Sequence, residues 1–264
     1  MIGDVHTSFV RNSTVHHAFN RAIAVHGVNN LTLANNVAYD TRGHALFIED
    51  GTELNTRLEN NLVVLVRPVL SLLLVDQSPA CYWIVHPHTH MIGNVAGGSS
   101  HYGYWLRMLP KPDGVSGQAV IDDDVPSPGP MYSPLAVVRD NVAHSVGKFG
   151  VKLNSFFPSN ACMDWPEPAV IYGLVVYKAG AFGLWGENIV GLDFEGTKMA
   201  DYGMAGMELM SVNGKLADFV MSEIRDSLFV GNTRGNVTLR GRKGGKFLSE
   251  TDIRPSPPGA VNRP

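Results

Sequence analysis

The chain has 264 residues, enough for one large or two ordinary domains with a substantial buried core. Only 17% of residues are charged and the formal net charge is -3, which argues against a general polyanion-binding surface, while 44% hydrophobic residues with 28 Gly and 16 Pro describe a turn-rich globular protein and exclude a disordered one. The two cysteines, Cys81 and Cys162, cannot build a disulfide-rich scaffold or a four-thiolate zinc site, and separate buried thiols are favoured over a bridge between them.

From the N-terminus, Met1-Ile-Gly-Asp-Val-His6 lacks the basic start and apolar run of a signal peptide. A repeat then takes over. Its starts fall near residues 14, 37, 62, 95, 142, 175 and 198, so a unit of 23 to 25 residues recurs with variable insertions. The clearest copies are Asn36-Val-Ala-Tyr-Asp-Thr-Arg-Gly-His-Ala-Leu-Phe-Ile48, Asn94-Val-Ala-Gly-Gly-Ser-Ser-His-Tyr-Gly-Tyr-Trp-Leu106 and Asn141-Val-Ala-His-Ser-Val-Gly-Lys-Phe-Gly-Val-Lys-Leu153, with a partial one at Asn61-Leu-Val-Val64. In every complete copy a small residue stands eight places after the start: Ala22, Ala45, Gly103, Gly150, Gly183 and Gly206.

Within a unit the apolar residues alternate in runs of three to five, separated by Gly and Asn, and helical periodicity is hard to find. Three short strands per unit make one coil of a parallel β-helix, about seven coils in all; the Leu-x-x-Leu-x-Leu frame of leucine-rich repeats is absent. Stacked coils put equivalent positions about 4.8 Å apart in ladders. One inward ladder is expected to read Ile23, Leu46, Tyr104, Val151, Leu184 and Met207, and the next Val25, Ile48, Val85, Leu106, Leu153 and Leu209. Asn36, Asn61, Asn94 and Asn141 form a third ladder with a structural role, at a position where Asn tolerates a left-handed bend and can bond its neighbours.

The insertions follow in order. Residues 66–80 are apolar, and the stretch Leu62–Val75, broken by Arg67-Pro68, is shorter than the ~20 residues of a membrane-spanning helix. Residues 109–135 are proline-rich and carry Asp122-Asp123-Asp124, and residues 154–169 hold Cys162 and Trp165. Loops of this length are usually functional or mobile. A β-helix over residues 1–230 is expected, then a last coil and a basic, Pro-rich tail or linker over 231–264, and the chain reads as a piece of something longer. Sequons at Asn12, Asn30 and Asn236 lean weakly towards secretion.

With the ladders set, the outward pairs are Ala24/His26, Phe47/Glu49, Trp105/Arg107, Lys152/Asn154 and Trp185/Glu187, with His86 closing the Trp83-Ile84-Val85 strand. Flat aromatics match the apolar faces of sugars and charged forks bind hydroxyls and carboxylates, so an extended polysaccharide suits this strip; covering by the insertion loops is the other reading. His26, His44, Glu49, Asp50 and His86 gather the densest chemistry. A carboxylate one coil from an imidazole can form an acid/base pair, and glycoside hydrolysis needs two carboxyls about 5–9.5 Å apart. Glu49 and Asp50 share a region only if the turn after Glu49 redirects Asp50; otherwise they cap the turn at Gly51. No metal site is assigned: Pro87 interrupts His86-Pro-His-Thr-His90, and Asp122–Asp124, the one place for calcium, lacks an EF-hand frame.

Several of these segments resemble the β-helix region of the fibrocystin-L and cell-migration-inducing hyaluronan-binding protein family, which also includes a transmembrane cell-surface hyaluronidase. The resemblance is carried by Ala22-Ile-Ala-Val-His-Gly27, Gly43-His-Ala-Leu-Phe-Ile-Glu-Asp-Gly51, Ser78-Pro-Ala-Cys-Tyr-Trp-Ile-Val-His-Pro87, Gly93-Asn-Val-Ala-Gly-Gly-Ser99, Tyr102-Gly-Tyr-Trp105, Tyr132-Ser-Pro134 and Asp140-Asn-Val-Ala-His-Ser145. It implies a right-handed, pectin-lyase-like solenoid at the cell surface or outside the cell. It also implies a module that engages a hyaluronan-like glycosaminoglycan, with depolymerisation as the enzymatic option. Where the family usually has Trp-Ile-Thr-Asn-Pro-Asn-Asn, this chain has Trp83-Ile-Val-His-Pro-His-Thr89.

The resulting expectation is a polysaccharide-engaging β-helix without a cofactor. If catalytic, it is a glycoside hydrolase of hyaluronidase type using Glu49 or Asp50 with His26 and His44. Phe47, His86, Trp105, Arg107, Lys152 and Trp185 would bind substrate. The alternative is a non-catalytic, receptor-like ectodomain scaffold that binds protein partners through loops 109–135 and 154–169. Neither reading calls for nucleic acid or membrane contact by this segment.

Overall fold

Among the described residues, strands pair in parallel with those three places away in the chain and not with their immediate neighbours. The reason is local. Between the first and second strand of every coil lie only two residues, and the first of them adopts a left-handed backbone: Asn12, Asn35, Asn60, Gly93, Asp140, Gly173, Gly196 and Asp226, all with φ between 48° and 65°. Gly, Asn and Asp take that conformation most cheaply, and it turns a corner instead of folding a hairpin back. A computed structural model describes residues 8–71, 74–114, 116–118, 129–157, 168–210 and 222–233.

The result is a right-handed parallel β-helix whose described residues form three sheets of eight, eight and seven strands, which is seven complete coils and part of an eighth. Coil one uses Phe9–Arg11, Thr14–Ala18 and Ile23–Val25; coil two Thr32–Ala34, Val37–Arg42 and Leu46–Ile48; coil three Arg57–Glu59, Leu62–Arg67 and Ala80–Ile84. Coil four uses His90–Ile92, Val95–Ser99 and Tyr102–Arg107, and the third strands of coils five to seven are Phe149–Phe156, Phe182–Ile189 and Ala205–Met210. The second sheet aligns Thr14, Val37, Leu62, Val95, Val142, Val175 and Lys198 as the repeat spacing predicts, and continues to Leu228 in the partial eighth coil.

The first inward ladder stands as expected, with Tyr82 filling the third rung: Ile23, Leu46, Tyr82, Tyr104, Val151, Leu184, Met207. The second requires a correction. Ile84, not Val85, pairs with Leu106, and Gly186 takes the sixth rung. The insertion before Ala80 hides the phase of this strand, and Ile84 and Val85 are equally aliphatic. Val85 therefore faces outward, and His86 falls one place beyond the row of His26 and Glu49.

The Asn ladder is buried and continuous. The side-chain oxygens of Asn61, Asn94 and Asn141 each accept from the backbone N–H and side-chain amide of the Asn one coil earlier, at 3.0–3.1 Å, and that of Asn36 accepts from the Ser13 N–H at 3.1 Å. Each amide also donates to a carbonyl of the preceding turn, those of Val10, Leu33, Leu58 and Met91. These residues satisfy backbone groups that the corner would leave unpaired, each bond contributing a net ~0.5–1.5 kcal/mol. The left-handed bend belongs instead to the residue before each of them.

Small residues eight places after each start line the inner corner into the third sheet, where an added Cβ would meet the next coil. A Cβ on Gly103 would lie 2.6 Å from the Gly150 carbonyl oxygen, one on Gly150 2.6 Å from that of Gly183, and one on Gly183 2.4 Å from that of Gly206. In coil three the equivalent position is Cys81, a free thiol, fully buried, whose pKa burial pushes up. Cys162, Asp122–Asp124, Asn236 and the tail from residue 234 lie outside the described residues.

Candidate functional site

Every long insertion enters or leaves the third sheet, so its outward face is where loops and ordered side chains meet. Two outward columns run along it. One reads Ala24, Phe47, Trp83, Trp105, Lys152, Trp185, Glu208; the other, carried one place past the shorter strands, reads His26, Glu49, Val85, Arg107, Asn154, Glu187, Met210.

At the N-terminal end of the second column the structure brings His26, Glu49 and Asp50 together. His26 Nδ1 lies 3.3 Å from Glu49 Oε2 and 3.2 Å from Asp50 Oδ1. The turn does redirect Asp50: Gly51 has φ +80°, and the neighbouring carboxylates converge on one imidazole. Glu53 holds that turn. Its fully buried carboxylate accepts from the backbone N–H groups of Gly27 at 2.8 Å, Asp50 at 3.2 Å and Gly51 at 2.8 Å, tying the turn after His26 to the turn after Glu49. The cap at Gly51 is thus Glu53, which leaves the side chains of Glu49 and Asp50 for other partners.

Asp50 and Glu49 differ in surroundings. Ser116, from the insertion after coil four, donates both its hydroxyl and its backbone N–H to Asp50 Oδ2, and buries that side chain to 3% exposure. The close approach needs glycine at two points, since a Cβ on Gly27 would come within 2.6 Å of Ser116 Cβ and one on Gly114 within 2.4 Å of Asp50 Oδ1. Glu49 stays 30% exposed and His26 50% exposed. Burial raises the Glu49 pKa, opposed by His26 and assisted by Asp50. The cluster therefore offers a reluctant carboxylate beside an imidazole oriented from behind by a second carboxylate. The three ligand atoms lie within 4.8 Å of one another, so among the described residues these three could also hold a cation.

His44 is not drawn into that cluster. Its ring is fully buried against Phe47 and Trp83, its Nδ1 accepts from the Ala80 N–H at 3.0 Å, and its Nε2 lies 3.9 Å from Asp76. Asp76 is buried, paired with Arg21 and bonded by Ser71, so this group anchors the 66–80 insertion over the sheet. Burial, then the Arg21 charge, holds His44 well below the usual imidazole range. His86 is also buried; its Nδ1 accepts from the His88 N–H at 3.1 Å, and burial with the neighbouring His88 pushes its pKa down to about 3.

The expected aromatic strip is mostly enclosed. Phe47, Trp83, Val85, Tyr102 and Trp105 form a second buried cluster beneath Val75 and Leu109, because outward rings on a bare sheet leave apolar surface that the insertions cover. Arg107, Lys152, Asn154, Trp185 and Glu187 stay accessible further along. Glu53, Ser116, Arg21 and Asp76 escaped the sequence reading. The spacing Gly51-Thr-Glu53 is the one local signal among them, since the other three act across long sequence separations.

A solenoid of three parallel sheets, with the His26, Glu49 and Asp50 cluster on the outward face of the third, is a parallel β-helix of the pectin-lyase kind. The chain belongs to the CEMIP beta-helix family, whose model matches residues 1–151. It is 34% identical to mouse fibrocystin-L over 213 residues, covering 79% of this chain and 5% of that protein. It is 30% identical to the human cell surface hyaluronidase CEMIP2 over 283 residues, and 27% identical to the human cell migration-inducing and hyaluronan-binding protein over 285. Both alignments cover 87% of this chain and 20% of the relative. The chain thus spans about a twentieth to a fifth of these relatives' lengths. Among the described residues no helix is long and apolar enough to cross a membrane.

Proposed function

We propose that this β-helix is an extracellular or cell-surface module that engages a hyaluronan-like glycosaminoglycan along the third sheet, and that the His26–Glu49–Asp50 cluster cleaves it. The names of two relatives, a cell surface hyaluronidase and a hyaluronan-binding protein, support the ligand class. The observation that carries the chemistry is the imidazole bracketed by two carboxylates at 3.2 and 3.3 Å on an accessible edge. Glu49, its pKa raised by burial, is the general acid at the glycosidic oxygen. Asp50 orients His26 through Nδ1, leaving Nε2 to take a proton from water. His44, Phe47 and Trp105 shape the wall behind, and Arg107, Lys152 and Trp185 hold the polymer beyond. His86, buried, supports the wall.

The test is depolymerisation of hyaluronan followed by size-exclusion chromatography. The wild-type chain is expected to be active, with activity falling as pH rises through a value above the ordinary Glu range, because the acid must be protonated. Glu49→Gln should lose about 10²-fold or more. Binding without cleavage by the wild type would replace hydrolysis with a lectin-like role, and a folded chain that neither binds nor cleaves would favour the scaffold reading.

A further inference from the structure

Three rings of the outward aromatic column carry a cation each. The Arg21 guanidinium lies 3.8 Å from the Phe47 centroid, Arg107 5.9 Å from that of Trp83, and the Lys152 ammonium 3.9 Å from that of Trp105. Their situations differ. Arg21 is committed to the buried carboxylate of Asp76. Arg107 is exposed, and Lys152 sits half-buried among Trp105, Tyr102 at 5.0 Å and Trp185 at 5.7 Å. The carboxylate nearby, Glu187, is held by Asn154, which donates to its Oε2 at 3.2 Å and itself accepts from the Trp105 indole N–H at 2.8 Å. Positive charge is therefore in excess at this stretch, on a floor of aromatic rings, in a chain that is acidic overall.

A cation over an aromatic face is partly stripped of water yet keeps its outer side open, which strengthens its attraction for an incoming anion. A guanidinium fork beside a point-charge ammonium matches the planar carboxylate of an acidic sugar better than a neutral hydroxyl. We propose that Arg107 and Lys152 form a carboxylate subsite for a uronic-acid residue, with the sugar ring resting on Trp185. The subsite rests on the reading of the third sheet as a polysaccharide groove and deepens it. Arg107 stands in the same outward column as Glu49, two coils on, roughly 10 Å away by the strand spacing. It acts on which polymer is held, apart from the bond to be cut.

Lys152 supplies a signature. Burial and the charges of Lys148 and Arg107, opposed by Glu187, lower its pKa to about 8. The groups facing it are Tyr102, pushed up by burial and neutral in this range, the side chains of Arg107, Lys148 and Glu187, and the uncharged rings of Trp105 and Trp185. Affinity for a carboxylate sugar should therefore fall as pH rises from 7 to 9, as the free amine loses its proton.

The test is calorimetric titration of the full chain with a hyaluronan hexasaccharide, with the same hexasaccharide after reduction of its carboxyls to alcohols, and with a sulfated oligosaccharide lacking carboxylates. The acid form should bind at least tenfold tighter than the reduced form. Lys152→Met and Arg107→Gln should each remove most of that difference. Lys152→Arg, which keeps the charge, should retain it and abolish the loss between pH 7 and 9. Equal affinity of the wild type for acid and reduced forms would overturn the subsite and leave the polysaccharide groove standing. Tighter binding of the sulfated probe would overturn the carboxylate assignment, and no binding of any probe would overturn both subsite and groove. The wild-type comparison stays decisive even if a variant fails to fold.

Discussion

Burial acts in opposite senses on the two kinds of titratable group near this site. It raises the carboxyls of Glu49 and Glu53 and lowers the imidazoles of His44 and His86, because in each case the charged form is the one that loses water. For His86 this makes stability depend on pH. Its folded value of about 3 lies below the ordinary 6.5, so from pH 6.5 down towards 3 the unfolded chain takes up a proton that the folded chain refuses. Stability is lost as pH falls across that window. Between pH 7 and pH 5 the loss through His86 is about 2 kcal/mol. Urea unfolding of His86→Gln at both pH values should show a pH 7 to pH 5 difference smaller by that amount; an unchanged difference would mean that the imidazole ionises in the folded protein. His26, Glu49 and Asp50 were legible as a group because turns of equivalent phase bring consecutive coils together. His44, one place after Gly43, was not separable from them by sequence, since only the 66–80 insertion decides that it is enclosed.

At the level of the strand, the inner corner sets the tightest limit. Gly183 faces the Gly206 carbonyl oxygen at 2.4 Å and the Met199 sulfur at 2.7 Å from where a Cβ would be, and the carbonyl belongs to backbone that cannot move without disturbing the next coil. Gly183→Ala should therefore cost about 1–3 kcal/mol, read as a lowered midpoint in thermal or urea unfolding, whereas Cys81→Ala on the same ladder should cost less. Strand starts were legible to the residue because the Asn ladder and the small residue recur at fixed offsets. The phase of Ala80–Ile84 was not, because Asn61 and the strand it should announce are separated by an insertion that carries apolar residues of its own.

Over the whole molecule, each coil touches only its neighbours, so stability is shared along the axis and weakest at the ends. The first described strand, Phe9–Arg11, and the last described one, Leu228–Val230, are exposed throughout, while the third strand of coil three, Ala80–Ile84, is buried throughout. Hydrogen exchange should show protection rising from both ends towards coils three to five, with amides of Ala80–Ile84 among the slowest. Uniform protection along the axis would show that the solenoid opens only as one unit. The insertions gather at the two corners that flank the third sheet for a related reason: the corner between the first and second sheets is closed by two-residue turns and by stacked amides that tolerate no added chain.

The amino-acid sequence by itself determined the coil, its length, its seven starts and the direction in which most side chains point, because these follow from short-range alternation and from residues that must turn left at fixed places. It also named the family by the order of its motifs. Only the tertiary structure decided which outward groups remain in water. The closing of Val75 and Leu109 over the rings, the seating of Ser116 on Asp50 and the burial of His44 beside Asp76 all join residues far apart in the chain, and no local pattern carries the free energy of such contacts.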